Sequence, residues 1–214
     1  MVSGRAAVDW LCNPDSKVSC HYLVDEDGTI VQMVDESQRA WHAGVSSWRG
    51  EIDINSTSIG IEIQNRGHTA GCPIFPLVQM QRVAALCIDV MRRHGFAYDQ
   101  IVAHSDIAPG RKVDPGEAFD WEWLHGQGIG QYAVAANSVG ATLQKGDDGQ
   151  AVTALQRDLS KFGYAIDQNG QFDHRTRIVV EAFQRRFRRA RVDGLGDAET
   201  LGILRRLLAV KPVA

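Results

Sequence analysis

Long apolar runs are missing from this sequence. No stretch approaches the roughly 18 residues that a membrane-spanning helix needs, which argues against an integral helical protein. The opening Met1-Val2-Ser3-Gly4-Arg5 lacks the apolar core of a secretory leader, so the sequence as it stands predicts a cytoplasmic location. Cysteine is scarce. Cys12, Cys20, Cys72 and Cys87 include no C-x-x-C pair, which argues against a cysteine zinc knuckle and a thioredoxin-type motif. Free thiols fit a reducing compartment, while pairing into two disulfides stays open. A positive excess is missing too: the net charge of -3 supplies no general attraction for nucleic acid. With 44% hydrophobic and 23% charged residues, the composition excludes a collagen, a coiled coil and a wholly disordered chain.

What is present fits one medium domain and one small one in 214 residues. Charge divides the chain in the same way. Residues 1–144 carry 10 Lys+Arg against 17 Asp+Glu, and residues 145–214 carry 13 against 9. Between them, residues 127–144 are rich in Gly, Ala and Ser without apolar periodicity and read as a linker. Residues 1–126 and 145–210 are the two expected domains, with no internal repeat of about 20–50 residues. In the first, Ser3 caps a helix to Leu11. Val18–Val24 and Thr29–Val34 form a hairpin around Asp25–Gly28, and Thr57–Ile63 is a strand. Ile59, Ile61 and Ile63 share one face of that strand, and Gly60 and Glu62 the other. Pro76–His94 is a helix ended by Gly95, and Ile101–Ala103 is a short strand delivering His104. The expected class is α/β, a mixed central sheet flanked by helices. Helices over 150–162, 176–187 and 198–208 make the second part a small all-α three-helix domain.

The chemistry concentrates in His104-Ser105-Asp106-Ile107-Ala108-Pro109-Gly110-Arg111-Lys112-Val113-Asp114-Pro115-Gly116. A His closing a strand is followed by a loop stiffened by two prolines, and Lys112 and Asp114 point the same way if that loop is extended. Imidazole and carboxylate are standard zinc ligands, and Glu62 on its strand is a usual base for a zinc-bound water. Each residue also has a plainer reading. His104 can be structural, Asp114 a turn starter before Pro115, Glu62 the exposed face of an edge strand and Lys112 solvated.

Taken together, four stretches resemble the zinc-dependent N-acetylmuramoyl-L-alanine amidases of the peptidoglycan-recognition-protein-like family. They are Ser19-Cys20-His21-Tyr22-Leu23-Val24, Arg39-Ala40-Trp41-His42-Ala43-Gly44, Ser58-Ile59-Gly60-Ile61-Glu62 and the 104–116 loop. The resemblance implies Zn2+ as cofactor, His104 and Asp114 as ligands, and Glu62 and Lys112 as catalytic groups. It implies a peptidoglycan or muropeptide substrate cut between N-acetylmuramic acid and L-alanine. Trp41, His42 and Ala43 line the groove or serve packing. The second part, through Lys145–Gly149, Leu155-Gln156, Gly170–Asp173, Phe183-Gln184 and Asp193-Gly194, resembles the three-helix peptidoglycan-binding module. Such a module holds an enzyme on its polymer.

In the family a first zinc ligand, a His, ends a strand that precedes the helix beginning here at Ser3. The sequence shows neither, so two of three protein ligands are expected, and a start placed downstream of that strand is the expected cause. An upstream start with a leader would move the location to the periplasm or cell envelope. His21 is the substitute candidate, although its context matches a later strand whose His is not a ligand. His42 and His68 fall outside the ligand positions. A non-catalytic peptidoglycan receptor is the alternative function. The run Arg185–Arg191 reads equally as a basic patch or a solvated helix face. A monomer without nucleic acid partners is expected.

Overall fold

The computed structural model describes residues 3–135 and 140–210. Ser3 caps α1 (Gly4–Leu11) by accepting the Ala6 amide at 3.2 Å, and Ala7 and Leu11 bury against Cys20 and Leu23. The sheet is mixed and three-stranded, in the order β2 (Ile30–Gln32), β1 (Tyr22–Val24), β3 (Ile61–Ile63). β1 is antiparallel to β2, with Leu23 opposite Val31, and parallel to β3, with Leu23 opposite Glu62. The hairpin is as expected, but all three strands are shorter than the alternation suggests. Backbone groups at and before the start of β1 bond irregularly: Ser19 donates to Trp41 O, and both His21 and Tyr22 donate to Gly60 O. Residues Ile54–Thr57 form a helical turn, α2, instead of leading into β3.

The expected strand at Ile101–Ala103 does not form. Two of its polar groups go to side chains, the Ala103 amide donating to Asp106 Oδ2 at 2.9 Å and Ile101 O accepting from Arg186 at 2.8 Å, while Ala103 O accepts the Asp106 and Ile107 amides. His104 accordingly opens a short helix, α4 (His104–Ile107). A cavity of about 290 Å³ lies between this segment and the outer edge of β3, lined by Ile59, Ile61, Ile63, Val102 and Ala103. The long helix α3 (Leu77–His94) presents Met80, Val83, Ala84, Cys87 and Val90 to the core formed with Phe119, Trp121 and Leu124. Gly95, at φ +69°, ends it. Trp121–Gly126 adds α5, capped by Asp120. All four cysteines are free thiols, and Cys87 is buried as a small core residue.

The C-terminal part is three helices, α6 (Gln150–Phe162), α7 (His174–Phe187) and α8 (Ala198–Ala209). A structural repeat escapes the sequence reading here. Buried Gln156 binds Gln171 O, Thr176 Oγ1 and the Gly170 amide; buried Gln184 binds Leu195 O, Thr200 Oγ1 and the Gly194 amide. Asp173 and Asp197 cap the following helices in the same way. The loops between differ in length, which hides the period.

The two parts share one core. Trp48, Ile54, Ile107 and Ala108 pack with Val152, Leu159, Phe183 and Ile203. Trp48 stands edge-on to Phe162 and Tyr164, with ring centroids 5.8 and 5.1 Å away. The segment expected to be a linker carries fully buried Ile129 and half-buried Tyr132, packed rather than loose. Residues 136–139 of it lie outside the described residues.

Candidate active site

The 104–117 loop is tied down before it presents any chemistry. The Ser105 amide donates to Asp114 O at 3.0 Å, closing the loop, and the Arg111 and Lys112 amides both donate to Ala108 O. Gly110 at φ +80° makes the turn between them. The Asp114-Pro115 bond is cis. This places His104, Lys112 and Asp114 on one cleft of about 340 Å³ with Glu62, Trp41 and His42. Glu62 reaches it because the alternation of β3 turns Ile61 and Ile63 toward the core.

His104 and Asp114 are in direct contact, with Nδ1 2.8 Å from Oδ2. On its other side, His104 Nε2 lies 3.1 Å from Ala43 O. A carbonyl only accepts, so Nε2 carries the hydrogen and donates. With Nε2 donating, Nδ1 and Asp114 Oδ2 face each other across 2.8 Å and share a cation, which is either a proton or a metal ion. A backbone carbonyl behind the ring and a carboxylate beside it also match the way proteins orient metal-ligating histidines. The pair therefore fits a zinc ion. Among the described residues, no third His, Cys, Asp or Glu brings a donor atom within 4.8 Å of both.

Electrostatics separate the carboxylates. Burial, then the neighbouring Asp114, raises the pKa of Glu62 above the ordinary range, partly offset by His104 and Lys112. Burial pushes Asp114 up as well, but the hydrogen bond and charge of His104 outweigh it and the net shift is downward. Burial and the nearby His21 and His104 lower His42 to about 4, so it is neutral near pH 7.

His21 does not approach the ligand pair. It is buried, its Nδ1 accepts the Gly60 amide at 2.9 Å, and its Nε2 donates to Gln38 O at 3.0 Å. Both ring nitrogens are spent, which removes it as a substitute ligand in this arrangement. His42 lines the cleft, held by Ser58 Oγ at 3.0 Å from Nε2. Trp41, 53% exposed, lines the cleft wall. The Ala43 side chain instead packs in the shared core, and only its carbonyl serves the site, holding His104 and Arg111.

Three supporting residues escape the sequence reading. Asn55 Oδ1 accepts both the His42 and the Ala43 amides, at 3.0 and 2.8 Å. Arg111 donates to Ala43 O at 2.5 Å and Val45 O at 3.0 Å, strapping that segment to the loop. Asp106 anchors α4 from below. Arg111 and Asp106 lie inside the loop motif, but neither has a signal separating it from a solvated charge. The Arg185–Arg191 run is neither a free basic patch nor a solvated helix face. Arg186 and Arg188 are buried, pairing with Asp106 and with Asp193 and Asp197, while Arg185 pairs with Glu117 and Arg189 with Asp120.

Known proteins resemble this chain in both of its parts. Residues 1–117 match the family described as N-acetylmuramoyl-L-alanine amidase, and residues 148–204 match a peptidoglycan binding domain. The N-acetylmuramoyl-L-alanine amidase AmiD of Escherichia coli K12 is 37% identical over 207 residues, covering 91% of this chain and 75% of that protein. The structure of E. coli AmiD with anhydro-N-acetylmuramic acid-L-Ala-D-gamma-Glu-L-Lys superimposes at a TM-score of 0.80, with 36% identity, covering 95% of this chain and 83% of that one. The Pseudomonas aeruginosa AmpDh3 complex with anhydromuramic pentapeptide gives a TM-score of 0.77 at 29% identity, covering 99% and 89%.

Proposed function

The chain belongs to the N-acetylmuramoyl-L-alanine amidase family, and on that premise we propose that the 41–116 cleft hydrolyses the amide between N-acetylmuramic acid and L-alanine in muropeptides. The observation that carries the reading is the convergence of Glu62, His104, Lys112 and Asp114 on one cleft.

Enzymes of this family are generally zinc-dependent. His104 and Asp114 would hold the ion, together with a donor outside this pair, and the ion would polarise the scissile carbonyl and lower the pKa of a bound water toward about 7. Glu62 takes the proton of the attacking water and returns it to the departing L-alanine amine. Its raised proton affinity suits both steps. Lys112 donates to the tetrahedral oxyanion, an interaction that strengthens as charge develops. Ala43 O and Arg111 keep the His104 ring in register. The exposed indole of Trp41 offers a flat apolar face to the sugar or lactyl group.

The substrates bound in the AmiD and AmpDh3 structures carry anhydromuramic acid, which favours anhydro-muropeptides over intact wall. Residues 1–126 carry the reaction, and residues 145–210 hold the enzyme near its polymer. The test is release of free peptide from an anhydromuramyl tripeptide by zinc-loaded protein, alongside metal analysis. Turnover abolished by a chelator and restored by Zn2+ is expected. Zinc-saturated protein that binds the muropeptide without cleaving it would identify a receptor instead.

A further inference from the structure

Three side chains that the amidase reaction does not use meet at the rim of the cleft. Among the described residues, His68, Cys72 and Glu117 each bring one donor atom to a common point, all within 4.8 Å of one another. His68 Nε2 is already 2.6 Å from Glu117 Oε2. The other carboxylate oxygen faces Arg185 at 3.1 Å, so Oε2 is directed to the His68 side. Gly116 lets the two strands of chain approach: a Cβ there would stand 3.0 Å from His68 Cε1.

The loop bearing His68 and Cys72 is fastened at both ends. Asn65 Oδ1 accepts the Gly67 amide at 2.8 Å, and Asn65 Nδ2 donates to Pro73 O at 3.0 Å. The Cys72 amide closes back on Gly67 O at 3.0 Å. Cys72 itself sits at φ +52°, a conformation costing about 1–2 kcal/mol for a residue with a β-carbon. Its thiol is free and half-buried.

We propose that His68, Cys72 and Glu117 form a second divalent-metal site, selective for zinc-like ions, that staples the rim of the cleft to the end of the catalytic loop. Imidazole, thiolate and carboxylate together suit a borderline ion, whereas calcium and magnesium prefer all-oxygen sets. Tetrahedral bonds of about 2.0–2.3 Å put donor atoms about 3.3–3.8 Å apart, so the widest pair of the group closes by at most about 1.5 Å, while His68 Nε2 and Glu117 Oε2, now 2.6 Å apart, open by about 0.7 Å. Three protein donors leave the fourth position to water. On binding, the metal–sulfur bond replaces the thiol S–H bond, the proton passes to buffer, and no oxidation state changes. The site adjoins the catalytic cleft through its chain neighbours: Asn65 and Gly67, beside His68, and Asp114 and Pro115, shortly before Glu117, all line that cleft.

The site stands apart from the amidase reading and is tested apart from it. Co2+ titrated into the full chain reports thiolate ligation by its sulfur-to-cobalt charge-transfer absorption, which the His104–Asp114 pair cannot produce. One such band per chain is expected, retained in Cys12→Ser and lost in Cys72→Ser. His68→Ala is expected to weaken the affinity at least about 100-fold, since losing even an outer partner of a metal ligand costs about 10- to 100-fold. Zn2+ is expected to slow alkylation of Cys72 in the unmodified chain, a readout that needs no variant to fold. No cobalt–thiolate band, a band that survives Cys72→Ser, or an alkylation rate indifferent to Zn2+ would each overturn the proposal. Muropeptide turnover by Cys72→Ser is expected to persist, so failure of this site leaves the amidase reading standing.

Discussion

Arg186 Nη1 donates to Asp106 Oδ2 at 2.6 Å where the two side chains are 2% and 0% exposed, and this contact joins the catalytic loop to the C-terminal helices. Tyr164 Oη donates to the other carboxylate oxygen at 2.7 Å, and the Arg186 guanidinium lies 4.3 Å above the Trp121 ring. Asp106 belongs to α4, the short helix that His104 opens two residues earlier.

Breaking this pair from one side leaves an uncompensated buried charge, which costs about 3–5 kcal/mol. Arg186→Ala and Asp106→Ala are both expected to destabilise the protein by that order in chemical denaturation. Because the two parts share a core, a single cooperative transition is expected for the parent protein. Separate transitions for the two parts would contradict the shared core.

Glu62→Gln keeps the shape of the side chain and removes the carboxylate proposed as the base. A fall of about 100- to 10,000-fold in kcat is expected. Lys112→Ala is expected to lower kcat by about 100- to 1000-fold while KM changes little, because the oxyanion exists only along the reaction path. A Lys112→Ala effect confined to KM would place Lys112 in ground-state binding.

Glu36 is held by Arg93, His94 and Tyr22, and the Arg93 hydrogen bonds chiefly bring its pKa down to about 2. A carboxylate depressed in the folded state contributes stability that is complete above its unfolded pKa near 4.5 and is lost as pH falls from there toward 2. Glu36→Gln is therefore expected to flatten the stability profile in that window and to lower stability at neutral pH. An unchanged slope between the two pH values would show that Glu36 is not the group responsible.

Gly60 carries no side chain because His42 occupies the space. A Cβ there would fall 2.3 Å from His42 Cγ. Gly60→Ala is expected to cost about 1–3 kcal/mol, the usual range for overpacking. It also displaces His42 from Ser58, so muropeptide affinity is expected to fall with stability, as thermal unfolding and KM measured on one preparation would show.

Much of the site is legible in the chain itself. Local rules place Glu62 opposite its isoleucine neighbours, end α3 at Gly95, and set Lys112 and Asp114 in a stiff loop behind His104. Those rules depend on residues within a few positions of each other, and the structure follows them. They failed where long-range partners took over. Ile101–Ala103 has the composition of a strand, yet Arg186 and Asp106 claim its backbone groups. His21 looks like a spare ligand until Gly60 and Gln38 occupy its nitrogens. The arginine run looks like a surface feature until Asp106, Asp120 and Asp193 meet it from distant positions.

The sequence by itself determined the family and the order of its motifs along the chain, because each rests on residue type and short spacing. Only the tertiary structure decided which charges are buried pairs, that both parts close over one core, and that His68 and Cys72 meet Glu117. Those outcomes depend on which residues far apart in the chain become neighbours, and burial there turns an ordinary solvated charge into one that must have a partner.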